Sequence, residues 1–168
     1  MSDSSSKKLL ETIAGIGGAA AGIYSGINLI IPLLFSALAA WLAKRFLPEQ
    51  KKIIAPAFSV QCGYVLWLSL AFFTTGLFNN PNTADVAILI AGLAWLLIKP
   101  SFGPLYLLSA YQLLGLCFNS YLFYGAALGS PTHRALLVHV IWRVLALFYM
   151  SKVFRELRKR NSEVPVAL

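Results

Sequence analysis

Acidic and metal-binding side chains are scarce in this chain. Its 168 residues include six Asp or Glu and two His, and none of the six acids falls inside the five long apolar runs described below. That scarcity argues against a multi-histidine or carboxylate metal centre. It also removes the intramembrane carboxylate on which proton- or sodium-driven transporters usually depend. Cysteine is equally sparse: Cys62 and Cys117 form no C-x-x-C motif and lie within apolar sequence. They read as small packing residues and do not report a redox compartment. A serine nucleophile has no better footing, because Ser130 in Leu128-Gly129-Ser130-Pro131 lacks the strand-turn-helix context of a hydrolase elbow. The expectation is a protein that is not an enzyme and carries no metal and no cofactor.

What the chain has in abundance is apolar surface. It is 58% hydrophobic with a mean hydropathy of +0.72, against roughly 45–50% apolar usage in soluble domains. A water-soluble fold of this size could not hide so much, whereas helices with internally closed backbone hydrogen bonds can turn it toward lipid. The formal charge of +8 and pI of about 9.7 would elsewhere suggest nucleic acid. Here the basic residues flank apolar runs, the place where they meet anionic headgroups and set orientation. No nucleic-acid partner is expected.

The runs predict an all-α, polytopic transmembrane bundle of five spans. Residues 1–8 form a polar tail, 9–154 the membrane domain, and 155–168 a basic tail. The spans are Ile27 to Ala43, with Pro32 in its first third and Trp41 as an interfacial anchor; Ile53 to Phe78; Val86 to Ile98; Pro104 to Leu128; and Ala135 to Phe154. The third is short, roughly 20 Å at 1.5 Å per residue, and is expected to need Asp85 and Lys99 to snorkel or the bilayer to thin. Lys44, Arg45, Lys51, Lys52, Lys99 and the C-terminal basic residues fall on one side of this scheme, against Lys7, Lys8 and Arg134 on the other. By the positive-inside rule the N-terminus is outside and the C-terminus cytoplasmic. The expected location is a plasma or bacterial inner membrane.

Leu9 to Gly26 resists the scheme. It reads as a tilted extension of the first span, an interfacial helix, or a sixth span, although a hairpin at membrane depth would leave backbone groups unsatisfied. A cleaved leader ending near Ala37-Leu38-Ala39 is a further alternative, disfavoured by the length of the apolar stretch before it. Within this segment Ala14, Gly18, Gly22 and Gly26 recur every four residues and on a helix would form a ridge with almost no side chain. Such a ridge suits close helix packing, within the chain, with a second copy, or with another membrane subunit.

Arg143 is the anomaly, an arginine about eight residues from either end of the last run, where insertion costs roughly 2.5–3.5 kcal/mol. His139 lies one helical turn away on a face shared with Leu136, Ala146 and Met150. With no carboxylate expected inside the bundle, the candidate partners are neutral: Gln112, Asn119 and Ser120 on the fourth run and Ser59, Gln61, Cys62 and Ser69 on the second. Depth selects Asn119 and Gln112 to bracket the Arg143 and His139 pair. One reading is a structural polar network; the other is an anion or lipid-headgroup site with His139 adding pH dependence. Beyond the membrane, Lys152, Arg155, Arg158, Lys159 and Arg160 extend the last helix as a headgroup or partner contact, with an expected Glu156–Arg160 pair. The leading functional expectation is an oligomeric or partner-binding subunit of a membrane complex, with anionic headgroups and a cytoplasmic protein as possible contacts of the tail. The alternative is a small channel or carrier for an anionic solute or lipid headgroup.

Overall fold

The structure is a computed structural model that describes residues 29–75 and 82–163. Every regular element among them is helical: α1 (Ile30–Phe46), a 3-10 turn (Glu49–Ile54), α2 (Ala55–Thr75), α3 (Asn82–Ile98), α4 (Phe102–Gly125) and α5 (Pro131–Glu163). Each helical proline, Pro32, Pro56, Pro104 and Pro131, stands in the first turn of its helix. The missing N–H is not needed there, so none of them kinks a span. Pro48 and Pro100 punctuate the joints after α1 and α3.

The helices match the five apolar runs in order, with shifted ends. Only two segments, Glu49–Leu70 and Pro131–Ser162, are both long and apolar enough to cross a membrane by length and composition. The reasons differ between helices. Helices α1 and α3 have 17 residues each, about 25 Å against a hydrocarbon core of about 30 Å. Helix α4 is longer, but Gln112, Asn119 and four tyrosines dilute its apolar character.

Helix α2 packs on α3 and α5, α3 on α4, and α4 on α5, so four helices close a ring while α1 lies outside it against α2. The outer seam is built from small residues. The buried positions of α1 are Pro32, Ser36, Ala39 and Ala43, three or four apart and therefore on one face. Opposite them stands Gly63, where a Cβ would lie 2.7 Å from the Ser36 amide nitrogen and 2.8 Å from its Cα. Backbone meets backbone, the small-residue mode of membrane helix association. Sequence reading placed that mode on Ala14, Gly18, Gly22 and Gly26, which lie outside the described residues.

One end of the bundle gathers the basic joints. Lys51 Nζ donates to the Leu97 carbonyl at 2.5 Å, satisfying the C-terminus of α3, and Lys52 pairs with Glu49. Arg160 Nη1 donates to the Gln50 carbonyl at 3.0 Å. Residues 44–52, Lys99 and the tail of α5 therefore share one end. At the other, Gly129 adopts φ +74° to reverse the chain, and Ser130 Oγ caps α5 by accepting the His133 amide at 3.1 Å. The His133 ring stacks on Phe123 with centroids 4.2 Å apart, a packing role at a helix start.

The interior is mainly apolar but encloses a few polar groups, and large apolar side chains also cover much of the outside. Gln61 and Gln112 are fully buried and Arg143 is 3% exposed, while Phe73, Ile98, Leu114, Tyr121, Tyr124 and Leu128 lie largely on the surface.

Candidate functional site in the bundle centre

Three of the interior polar side chains, Gln61, Gln112 and Arg143, join Asp85 in one connected set with a member on each ring helix. Arg143, on α5, donates from Nη1 to Gln112 Oε1 on α4 at 3.0 Å. Gln112 Nε2 donates onward to Gln61 Oε1 on α2 at 2.6 Å. Gln61 Nε2 approaches the Met150 sulfur at 3.7 Å, and Ser109 Oγ approaches the same sulfur at 3.5 Å. On the other side of the guanidinium, Nη2 lies 3.5 Å from Asp85 Oδ2 on α3. Tyr111 donates its hydroxyl to Asp85 Oδ1, and its ring lies under the guanidinium, 5.6 Å from Cζ to centroid.

The length of α3 explains how a residue from a polar joint reaches the middle. Lys51 pins the C-terminus of α3 at the basic end. At 17 residues α3 is about 10 Å shorter than the 24-residue α4 beside it. Its first turn therefore ends partway down the bundle, level with Tyr111. Asp85 sits in that turn, where the helix dipole also favours a negative charge. Two sequence expectations are corrected here: Asp85 turns inward rather than snorkelling toward headgroups, and a carboxylate partner for Arg143 does exist within the chain. The correction has a plain cause. The apolar run starts at Val86, whereas the helix starts at Asn82 and includes the acid.

Gly115 makes the space for this pair. A Cβ there would lie 2.6 Å from Arg143 Nη2, so any side chain must displace the guanidinium. Gly115→Val is expected to destabilise the bundle by about 1–3 kcal/mol through overpacking. The check is thermal unfolding in detergent beside Gly125→Val, since a Cβ at Gly125 meets nothing within 4 Å. Equal losses at both positions would contradict the assignment.

The expected quartet of Arg143, His139, Gln112 and Asn119 is not assembled as a unit. Gln112 binds Arg143 directly, but Asn119, though buried, hydrogen-bonds to neither Arg143 nor His139 among the described residues. His139 belongs to an adjoining aromatic seam between α2 and α5. Its Nδ1 lies 2.5 Å from the Tyr64 hydroxyl, and its ring packs on Trp67 at 5.5 Å. Tyr64 stacks on Trp142 at 6.3 Å, whose indole N–H donates to the Val60 carbonyl at 3.1 Å. The residues sequence reading missed are Asp85, Tyr111 and the contact-making Gly115. Only the Tyr-rich character of the fourth run hinted at one of them.

The tail residues divide among several environments. Lys152 lies over the Phe148 and Tyr149 rings at 4.6 and 5.3 Å. Arg160 goes to Gln50, so the expected Glu156–Arg160 pair is not formed: a carbonyl of the facing joint takes the guanidinium instead. Lys159 is exposed, and Arg155 and Arg158 line a cleft described below. Among the described residues no group of three His, Cys, Asp or Glu could hold a metal ion.

Comparison with protein-family models, with curated proteins and with solved structures finds no match. The arginine has its charge offset by a carboxylate and Nη1 bonded to the first of two linked amides, while its Nε is buried without a hydrogen-bond partner among the described residues. Such a set ties α2, α3, α4 and α5 together in a low-dielectric interior, where an unpaired charge is expensive.

Proposed function

We propose that this chain is a multi-pass membrane protein and a non-enzymatic anchoring or assembly subunit of a membrane complex. Its five helices lie in the bilayer, the N-terminus faces outward and the C-terminus faces the cytoplasm. The observation that carries the reading is the apolar outer surface: Phe73, Ile98, Leu114 and Leu128 are largely exposed, while Arg143, Gln61 and Gln112 are enclosed in a mainly apolar core. Water would penalise so much exposed apolar surface, and lipid does not. The short α1 and α3 are accommodated by tilt or local thinning. The gathered basic joints supply the cytoplasmic charge. A paired Arg143 supports a structural centre, with the outer faces left for a second copy or another subunit.

A carrier for an anionic solute or lipid headgroup, built on Arg143 and His139, has weaker support. Asp85 already sits on the guanidinium and Tyr64 on the imidazole, so neither group is left to attract an anion.

Two measurements test the proposal. The protein should stay in the membrane pellet after carbonate extraction, with engineered glycosylation acceptors modified near Gly129 and unmodified near Gln50. Crosslinking in the native membrane, followed by purification, should recover a homo-oligomer or a stoichiometric subunit. Release by carbonate would sink the membrane reading, and anion flux through the reconstituted protein alone would sink the subunit reading in favour of the carrier.

A further inference from the structure

At the basic end a cleft of about 430 Å³ opens between the start of α4 and the cytoplasmic part of α5, lined by Phe102, Tyr106, Phe154, Arg155 and Arg158. Its floor is aromatic. Phe102 stacks on Phe154 with centroids 5.8 Å apart and planes 17° from parallel, and Tyr106 packs on Phe154 at 4.8 Å. Its rim is cationic. Arg155 and Arg158 are one helical turn apart, and among the described residues neither is ion-paired with a carboxylate. Arg155 spends only Nε, on the Ser151 carbonyl at 3.4 Å, which leaves its terminal nitrogens free to serve an anion. The rest of the basic tail is committed or elsewhere: Arg160 to Gln50, Lys152 to the rings of Phe148 and Tyr149.

The order of groups along the cleft matters. Tyr106 lies one turn into the bundle from Phe102, while Arg155 and Arg158 lie beyond Phe154 toward the tail. Apolar rings below and paired guanidinium groups above match a molecule with an acyl chain and a phosphate. We propose that this cleft binds an anionic phospholipid of the cytoplasmic leaflet, the phosphate held by Arg155 and Arg158 and the glycerol and upper acyl chain lying on Tyr106 and Phe154. Guanidinium suits the phosphate because it offers paired donors in a plane. The cleft rests on the membrane reading above, and it goes further by naming the lipid class and the site.

The test uses the full-length protein in detergent supplemented with phosphatidylglycerol or phosphatidylcholine, with retained lipid counted by native mass spectrometry. The parent is expected to retain phosphatidylglycerol over phosphatidylcholine. Arg155→Ala/Arg158→Ala should lower that retention about thirtyfold, each basic residue near a membrane surface contributing about 1 kcal/mol. Lys159→Ala should leave it unchanged, and Arg155→Lys/Arg158→Lys, which keeps the charge, should restore most of it. Thermal unfolding of the double variant should match the parent, because both side chains are exposed. Equal retention of the two lipids by the parent would overturn the proposal. So would undiminished phosphatidylglycerol on the double variant, displacement by millimolar inorganic phosphate alone, or a change in oligomer size with lipid retention intact. Carbonate extraction of the double variant should be unaffected, so a failure here is distinguishable from a failure of the membrane reading.

Discussion

Asp85→Ala is expected to be among the most destabilising single changes outside the apolar core, at about 3 kcal/mol. Arg143 would keep Gln112 but lose its carboxylate, and removing one partner of a buried ion pair costs about 3–5 kcal/mol. The lower figure applies because the Asp85 side chain is 36% exposed whereas that of Arg143 is 4%. The diagnostic comparison is a cycle. Asp85→Ala/Arg143→Met removes both charges and replaces the arginine with an apolar chain of similar reach, so it should be more stable than Asp85→Ala alone. Thermal or SDS-induced unfolding in micelles reads both. Losses that simply add would mean that the two side chains do not interact.

The sequence carried the helices well and the pairing within the centre only in part. Apolar runs located all five helices, because a run of that length has few alternatives to a buried or lipid-facing helix. Arg143 was conspicuous for being charged at depth, and Gln112 followed from depth alone. Asp85 was hidden by its neighbours: NNPNTAD reads as a turn, and nothing local reveals that α3 continues upward through Asn82. Placing its first turn deep in the bundle requires knowing that Lys51 holds the other end, a contact between residues 46 apart. Asn119 illustrates the converse error. Depth levelled it with His139, but level does not specify which way a side chain on a helix faces. His139 likewise shares a face with Arg143, yet Tyr64 on a different helix takes its nitrogen.

Gly63→Leu is the second change with a large expected effect, again about 3 kcal/mol. Most overpacking mutations cost about 1–3 kcal/mol because side chains can shift, but here the obstacle is the backbone of Ser36. Helix α1 must therefore move as a body. Ala39 and Cys62 line one groove beside this seam, so Ala39→Cys with a short bifunctional thiol reagent provides a reporter. Crosslinking to Cys62 should be efficient in the parent and should fall sharply with Gly63→Leu, while Gly63→Ala should give an intermediate result. Undiminished crosslinking in the leucine variant would show that α1 tolerates bulk there and that the seam is looser than described.

The closure of the ring by α5 against α2 also constrains the order in which the protein can mature. The cation of the central pair is on α5, and the carboxylate, the tyrosine and both glutamines precede it in the chain. Until that helix arrives, Asp85 has no counter-charge and Gln61 and Gln112 have only each other. The central network therefore cannot close before α5 has been made. A chain that stops short of residue 143 would leave Asp85 at the bundle centre without its counter-charge.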